Sequence, residues 1–346
     1  MLSAGDPGRA EIFSARNEIL EVHTAMKEVF DAIIQGIIQG ATEFLPVSSS
    51  GHLSLTQHFL GIEEPGMLFD VLLHIGTLVA VCFVYYKLLF RLIKAFFGMV
   101  KKIFTGKFRW SQMDADENLV MMLIIGLVPL FLMFFPVPGT GMKVKDFADL
   151  WATDSSILIE GFALLATSVL LFIAMRKSKK MLERAELRAR SQGESHAVRP
   201  AGRKRFNPID AICVGLAQCV AAVFPGLSRS GSTLSVGLMR NINRQTALDY
   251  SFVLGIPAIL AAAVVSAKDA VEVGEEIHAL PMIVGVVTAA VVGFCAIKLL
   301  RWMVSSNKLL PFVIYTAVVG AIVVIIALIE QGSNVYIGIQ AASAAI

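Results

Sequence analysis

Apolar residues run through this chain in long, nearly uninterrupted blocks that are separated by polar segments. Six of the blocks approach or exceed the roughly 20 residues that a helix needs to cross a bilayer. The pattern therefore predicts six transmembrane helices, at residues 67–86, 118–136, 155–175, 246–266, 281–300 and 309–329.

Composition supports the same interpretation. Of the 346 residues, 56% are hydrophobic and only 16% are charged, whereas soluble domains average about 25% charged residues. We expect a multi-pass membrane protein whose partners include membrane lipids and no nucleic acid; a homodimer is left open. The four cysteines are scattered through apolar segments without metal-like spacing, which favours core packing over a disulfide framework.

Basic residues indicate how the spans are oriented, because lysine and arginine collect on the cytoplasmic side of membrane proteins. Seven lie within residues 87–117 and eleven within residues 176–207. Residues 137–154 have two against three aspartates, and residues 267–280 have one against four acidic residues. These counts place the first two segments in the cytoplasm and the last two outside, so that the span at 67–86 runs inward.

Two further apolar stretches, residues 29–60 and 208–240, remain outside the six spans. For this topology to close, each must enter the membrane and return to its own side. The first would enter from outside and the second from the cytoplasm. We therefore expect two re-entrant helical hairpins of opposite orientation.

The two stretches share one pattern of glycine, glutamine, proline and serine. The first has Gly36-x-x-Gln39, six residues, Pro46 and then Ser48-x-Ser50-Gly51. The second, with one extra residue after its proline, has Gly215-x-x-Gln218, six residues, Pro225 and then Ser228-x-Ser230-Gly231.

This repeat predicts an all-α polytopic membrane protein in which a hairpin plus three spans occurs twice, as an inverted-topology repeat. The expected divisions are an N-terminal extension with the spacing of an interfacial helix, two repeats, a basic cytoplasmic loop and a C-terminal tail. In chain order they are residues 1–27 (extension), 28–175 (first repeat), 176–207 (loop), 208–330 (second repeat) and 331–346 (tail).

Proline breaks each hairpin. Pro46 and Pro225 lack an N–H group and bias the preceding residue away from helical geometry. The serines that follow are favoured N-caps, and a half-helix that begins inside the membrane directs free N–H groups and a positive dipole end into the interior. We interpret the two turns as facing anion-binding cradles; the alternative is that the serines only cap buried helix ends.

Ionisable neighbours favour the anion-binding interpretation. Arg229 lies in the second turn at membrane depth, where a charge is costly, and Glu43 and His52 flank the first turn. Arginine matches a pair of phosphate oxygens, and a carboxylate can hold a divalent cation that bridges phosphate oxygens. A serine can attack phosphorus when a base such as His52 takes its proton. The set predicts phosphoryl transfer.

The segments "QGATEFLPVSSSGHL" and "FPGLSRSGSTLSVGL" resemble the two signature motifs of the bacterial undecaprenyl-diphosphate phosphatases, also called the bacitracin-resistance protein family. The resemblance covers residues 28–330, with both motifs in the family's order and spacing. It implies dependence on Mg²⁺ or Ca²⁺ and a polyprenyl diphosphate lipid as substrate, which is dephosphorylated to regenerate the lipid carrier of cell-wall synthesis. It also implies a place in the bacterial cytoplasmic (inner) membrane, with the site open to the periplasm.

The resemblance further implies roles for single residues. Glu43 would handle metal or water, Ser49 would attack phosphorus or bind phosphate, His52 would support acid–base chemistry, and Arg229 would clamp the diphosphate. Some family members carry a second glutamate where this chain has an amide, so we expect a mechanism with one carboxylate. The nucleophile, whether Ser49, His52 or water, is left open. The expected substrate-binding residues are Gln39, Ser48, Ser50, Ser228 and Ser230.

A secondary transporter or lipid flippase also has inverted repeats and broken helices, although these charged residues suit a diphosphate better than a small solute. The lipid phosphatases with a histidine nucleophile are excluded, because Ser235 stands where that histidine is required. Asp70 and His74, four residues apart, can face the site, or Asp70 can simply mark a helix start; Asp249 is the counterpart of Asp70.

Overall fold

The computed structural model describes residues 7–60, 67–152, 156–191, 201–273, 279–333 and 337. Within these ranges the chain forms α-helices and two 3₁₀ helices, Trp110–Gln112 and Val128–Phe134, and no strand. The α-helices are α1 (Pro7–Thr42), α2 (Ser49–Leu60), α3 (Met67–Phe104), α4 (Ala115–Leu127), α5 (Val144–Ala152), α6 (Leu158–Ser191), α7 (Pro208–Val223), α8 (Arg229–Met239), α9 (Arg244–Val273), α10 (Ala279–Ser305) and α11 (Leu310–Ser333).

Six helical segments in the described part of the chain are long and apolar enough to cross a membrane, and each overlaps one predicted span. The all-α, six-span prediction is therefore confirmed. Two of the helices extend well past the predicted spans, because the lysine-, arginine- and leucine-rich sequences that follow are good helix formers. The six segments are Leu68–Phe104, Ala115–Phe134, Leu158–Ala189, Arg244–Lys268, Ala279–Ser305 and Leu310–Ser333.

The two leftover stretches form helix–turn–helix units. The end of α1 and α2 form the first hairpin, residues 29–60, and α7 and α8 form the second hairpin, residues 208–240. The helices break at Pro46 and Pro225, as the sequence predicts. That each hairpin enters and leaves on one side of the bilayer, with opposite orientation, stays a prediction.

The predicted segments between and around the repeats are partly helical. Residues 7–27 continue into α1, and residues 176–191 continue α6 into the basic loop. Placement of the first segment on the membrane surface stays a prediction. Residues 192–200 of the loop, and all of the tail except 331–333 and 337, lie outside the described residues.

Glycines allow the first hairpin to approach α10 closely. A Cβ atom at Gly36 would lie 2.7 Å from the carbonyl oxygen of Gly285, and one at Gly40 would lie 2.7 Å from that of Ala289. No real side chain tolerates such distances, so these glycines serve helix packing, as in other membrane proteins.

The base of the second hairpin is closed by ion pairs. The fully buried carboxylate of Asp210, in the first turn of α7, forms ion pairs with Arg203 Nη1 and Arg240 Nε, both at 2.8 Å. Burial works to raise the pKa of Asp210, but hydrogen bonds from Arg203, the Asn207 N–H and Arg240 hold this pKa below its ordinary value. The start of α7 is thereby tied to the end of α8.

Candidate active site

The tips of the two hairpins are in contact. A Cβ atom at Gly51 would lie 3.2 Å from the Cα of Gly226, and Ser230 Oγ donates a hydrogen bond of 3.1 Å to the carbonyl oxygen of Leu45. The break in α1 and the start of α8 therefore meet inside the bundle. Residues that are 186 positions apart can act at one point.

Glu43 lies at the centre of this contact between the two hairpins. Its side chain is 5% exposed, and Arg229 Nη2 donates to its Oε1 at 2.6 Å. Its Oε2 accepts hydrogen bonds from Ser49 Oγ at 2.7 Å and from Gln39 Nε2 at 3.1 Å. The structure thus brings together four residues that the sequence selected from two distant motifs.

Only part of the Arg229 guanidinium is hydrogen-bonded to described residues. Nη1 is buried and has no hydrogen-bond partner within the described ranges, while Nη2 binds Glu43. A Cβ atom at Gly255 of α9 would overlap Nη1, so this glycine provides the space that the guanidinium occupies. Sequence reasoning missed Gly255, which carries no chemical group. The unused Nη1 is the edge that a phosphate oxygen can take.

Two serine turns flank the ion pair. The N–H groups of Gly51 and Gly231 donate to Ser48 Oγ at 3.2 Å and Ser228 Oγ at 3.0 Å, so both serines cap their helices. Ser50 Oγ lies 3.5 Å from that of Ser48, and Ser230 Oγ lies 3.3 Å from that of Ser228. The predicted N-caps are present in both repeats.

The extra residue of the second turn changes its backbone. There Gly226 takes a left-handed conformation, with φ of 81°, and Ser228 has φ of −61°. In the shorter first turn the left-handed residue is Ser48, with φ of 74°. A residue with a side chain pays about 1–2 kcal/mol for this conformation, so the first turn is the more strained of the two.

His52 is oriented away from Ser49. Its Nδ1 lies 2.7 Å from the carbonyl oxygen of Ser48, and its Nε2 lies 2.6 Å from the hydroxyl of Tyr315 on α11. The hydroxyl of Ser49 donates to Glu43 instead. The base at hydrogen-bond distance from Ser49 is therefore Glu43, and the assignment of His52 as base for Ser49 has no direct contact behind it.

His74 joins the site from α3. Its Nε2 lies 3.7 Å from Glu43 Oε2, and its Nδ1 lies 2.8 Å from the carbonyl oxygen of Asp70. Of Asp70 and His74, it is therefore His74 whose side chain approaches the site. Asp249, the counterpart of Asp70, accepts hydrogen bonds of 2.8 Å from Tyr85 and Gln245, so it belongs to a different network.

Most of the chain matches a known protein family. A profile of the family described as "Bacitracin resistance protein BacA" matches residues 32–322. The chain belongs to this family. It is 39% identical over 303 residues to an undecaprenyl-diphosphatase of Alkaliphilus metalliredigens, an alignment that covers 87% of this chain and 99% of the relative.

Further members of the BacA family align over similar lengths. The chain is 35% identical over 304 residues to an undecaprenyl-diphosphatase of Halothermothrix orenii, covering 87% of this chain and 98% of the relative. It is 32% identical over 307 residues to one of Methanosphaera stadtmanae, covering 88% of this chain and the whole relative. The resemblance drawn from the two motifs is confirmed.

Few described side chains at this BacA-family site can coordinate a metal ion. No group of three or more histidine, cysteine, aspartate or glutamate side chains that could hold a metal occurs in the described segments. Glu43 offers one carboxylate, and the Oε1 atom of Gln39 is buried without a hydrogen-bond partner there. Mg²⁺ is usually held by one or two carboxylates together with water and substrate phosphates. These residues therefore fit a cation that the diphosphate itself helps to bind.

Proposed function

We propose that this BacA-family protein hydrolyses undecaprenyl diphosphate to undecaprenyl phosphate and inorganic phosphate. Relatives named undecaprenyl-diphosphatase, which align along 98–100% of their own length, support the proposal. The observation that carries it is the 2.6 Å contact between Glu43 and Arg229. This contact joins a cation that can bind a diphosphate to a carboxylate that can manage a proton or a metal ion.

Arg229 and the two serine turns would bind the diphosphate. The free Nη1 of Arg229 and the helix N-termini at Ser48 and Ser228 would neutralise its charge. Phosphoryl transfer needs positioning and charge stabilisation above all. Glu43 holds the guanidinium in place before substrate arrives.

Ser49 is positioned to attack the terminal phosphorus. Its Oγ would form a bond to that phosphorus while its proton passes to Glu43, which already accepts its hydrogen bond. The bond from this phosphorus to the bridging oxygen breaks, and undecaprenyl phosphate leaves. Water then attacks the seryl phosphate: Ser49 Oγ leaves and takes its proton back from Glu43, and the water oxygen departs with the phosphorus as inorganic phosphate. In the alternative, water held by Glu43 attacks directly; a trapped phosphoseryl enzyme distinguishes the two.

We infer that a divalent cation, Mg²⁺ or Ca²⁺, takes part, held by Glu43, the Gln39 amide oxygen and the diphosphate. It would supply neutralisation of phosphate charge. Gln39 adds an oxygen ligand and no charge, so Glu43 is the one carboxylate in the set.

The proposed substrate has a long apolar tail, and an apolar groove lies beside the site. The groove is shallow and open and runs along one face of α11, and its lining includes Tyr315, whose hydroxyl contacts His52. We assign this groove to the part of the polyprenyl chain nearest the diphosphate. We also place the protein in the bacterial cytoplasmic membrane with its site open to the periplasm, as membership of the BacA family suggests; the distribution of basic residues indicates which loops are cytoplasmic. A homodimer stays a prediction.

Purified protein in detergent tests the function. Phosphate release from undecaprenyl diphosphate that requires Mg²⁺ or Ca²⁺ is the expected result, and loss of release on adding a chelator tests the cation separately. Movement of a solute or lipid across sealed vesicles without hydrolysis would instead indicate the transporter alternative, which the family relationship does not favour.

A further inference from the structure

The imidazole of His52 is hydrogen-bonded at both nitrogens. Nδ1 lies 2.7 Å from the carbonyl oxygen of Ser48, and Nε2 lies 2.6 Å from the hydroxyl of Tyr315. A carbonyl oxygen can only accept, so Nδ1 carries a proton; in the neutral ring Nε2 must then accept from the Tyr315 O–H group. The Ser48 carbonyl therefore fixes the tautomer, and the tyrosine hydroxyl fixes the direction of the ring.

The carbonyl that His52 binds belongs to the strained residue of the first turn. Ser48 has φ of 74°, and its carbonyl oxygen also lies 3.3 Å from the backbone nitrogen of His52. In the second turn Gly226 takes the left-handed conformation at no steric cost. Ser232 stands at the position of His52 there, and its buried hydroxyl has no hydrogen-bond partner in the described part of the chain. The strained turn is thus braced through the His52 side chain, whereas the relaxed turn is held through its backbone, by the hydrogen bond of 3.1 Å that the Ser228 N–H donates to Thr167 Oγ1.

We propose that Tyr315 is a positioning residue for the reaction, acting through His52. By holding His52, it keeps the Ser48 carbonyl in place and thereby keeps the next residue, Ser49, within 2.7 Å of Glu43. The two rings are nearly parallel, at 14° with centroids 5.6 Å apart, so the tyrosine also limits rotation of the imidazole. The kinetic consequence rests on the proposed diphosphatase function; the hydrogen bond and its effect on His52 do not.

The test is Tyr315→Phe, which keeps the ring and removes the hydroxyl. Tyr86→Phe is the matched control, because Tyr86 of α3 is 61% exposed and its ring contacts Lys87. In full-length protein purified in detergent, kcat for phosphate release should fall about tenfold in Tyr315→Phe, with KM within about twofold, because one hydrogen bond that orients the site is lost. Tyr86→Phe should leave both constants unchanged.

A second readout follows His52 itself. In protein labelled with ¹⁵N-histidine, the Nε2 resonance of His52, assigned by its loss in His52→Gln, should shift in Tyr315→Phe and stay in place in Tyr86→Phe. Adding Tyr315→Phe to His52→Gln should cost no further activity. An unchanged kcat, an unmoved Nε2 resonance, or a full additional loss in the double variant would each overturn the proposal. If the wild type releases no phosphate, the function fails, and the resonance alone decides whether Tyr315 holds His52.

Discussion

The two hairpins start from one pattern and differ in burial. In α8 most residues are buried, including Ser230, Ser232 and Leu238, whereas Ser50 of α2 is exposed and Ser49 is half-buried. The base of the second hairpin is closed around Asp210. The second hairpin is therefore the more enclosed of the two, and the first is the more accessible.

Their chemistry is divided in the same way. Both have a fully or almost fully buried glutamine, Gln39 and Gln218, but only the first has a glutamate four residues later; the second has Ala222. Ser49 of the first turn corresponds to Arg229 of the second by position after the capping serine. The first hairpin supplies the carboxylate and the hydroxyl, and the second supplies the positively charged guanidinium. A duplicated scaffold thus makes an asymmetric site.

The largest loss is expected from Arg229→Ala, which removes the contribution of the second hairpin. kcat/KM for phosphate release should fall about 10³-fold, because the diphosphate loses its charge partner and Glu43 keeps an uncompensated buried charge. Arg91→Ala is the control, since Arg91 is an exposed arginine 3.6 Å from Asp116, and it should change activity less than twofold. Near-normal activity of Arg229→Ala would remove the clamp from the mechanism.

Substitutions of two neighbouring serines in the first hairpin distinguish the chemical step from substrate binding. Ser49→Ala should lower kcat about 10²-fold or more, because its hydroxyl is the one bonded to Glu43. Ser50→Ala, at an exposed position, should mainly raise KM by a few-fold. Equal effects of the two substitutions on kcat would show that the contact with Glu43 has no special role.

A change outside both hairpins tests the placement of Arg229. Gly255→Ala puts a methyl group where Nη1 lies, so we expect the guanidinium to shift and kcat to fall about tenfold, as misplacement of catalytic groups does. Gly98→Ala is the matched control, because a Cβ atom at Gly98 of α3 meets nothing within 4 Å. It should leave activity unchanged and stabilise the helix by about 0.5–1 kcal/mol. Unchanged kcat in Gly255→Ala would contradict this placement.

The smallest effect on catalysis is expected at the base of the second hairpin. Asp210→Asn should lower the free energy of unfolding by about 1–2 kcal/mol, since its arginine partners are partly exposed, and leave kcat unchanged at low temperature. Because the folded protein holds the pKa of Asp210 low, its contribution is present above the unfolded pKa and is lost as the pH falls through the folded value. Thermal unfolding at neutral and acidic pH measures this; an identical loss of stability in the variant at both would contradict it.

The sequence was sufficient for the six spans, the two breaks and the meeting of Glu43 with Arg229. Span length, proline chemistry and the spacing of a repeat are properties of the local sequence, and their structural effect does not depend on how the helices pack. The extensions of α3 and α6 were missed because the end of an apolar block marks the end of a bilayer crossing, not the end of a helix.

The residues that complete the site could be found only in part. Gly255 and Tyr315 lie on α9 and α11, and their approach depends on how these helices rotate and slide against the hairpins, which no motif records. His74 had a signal, its spacing of four from Asp70, but that spacing does not say which of the two faces the site. The structure selects His74 because its Nε2 lies 3.7 Å from Glu43 Oε2.

The most direct measurement of the central claim is a double-mutant cycle on the contact between the hairpins. Phosphate release would be measured for wild type, Glu43→Gln, Arg229→Ala and the double variant. Each variant must elute from a gel-filtration column at the same volume as the wild type. If the two side chains act as one unit, the double variant loses about as much as the more damaging single variant. If the two losses multiply, the residues act independently, and the single site built from two hairpins is wrong.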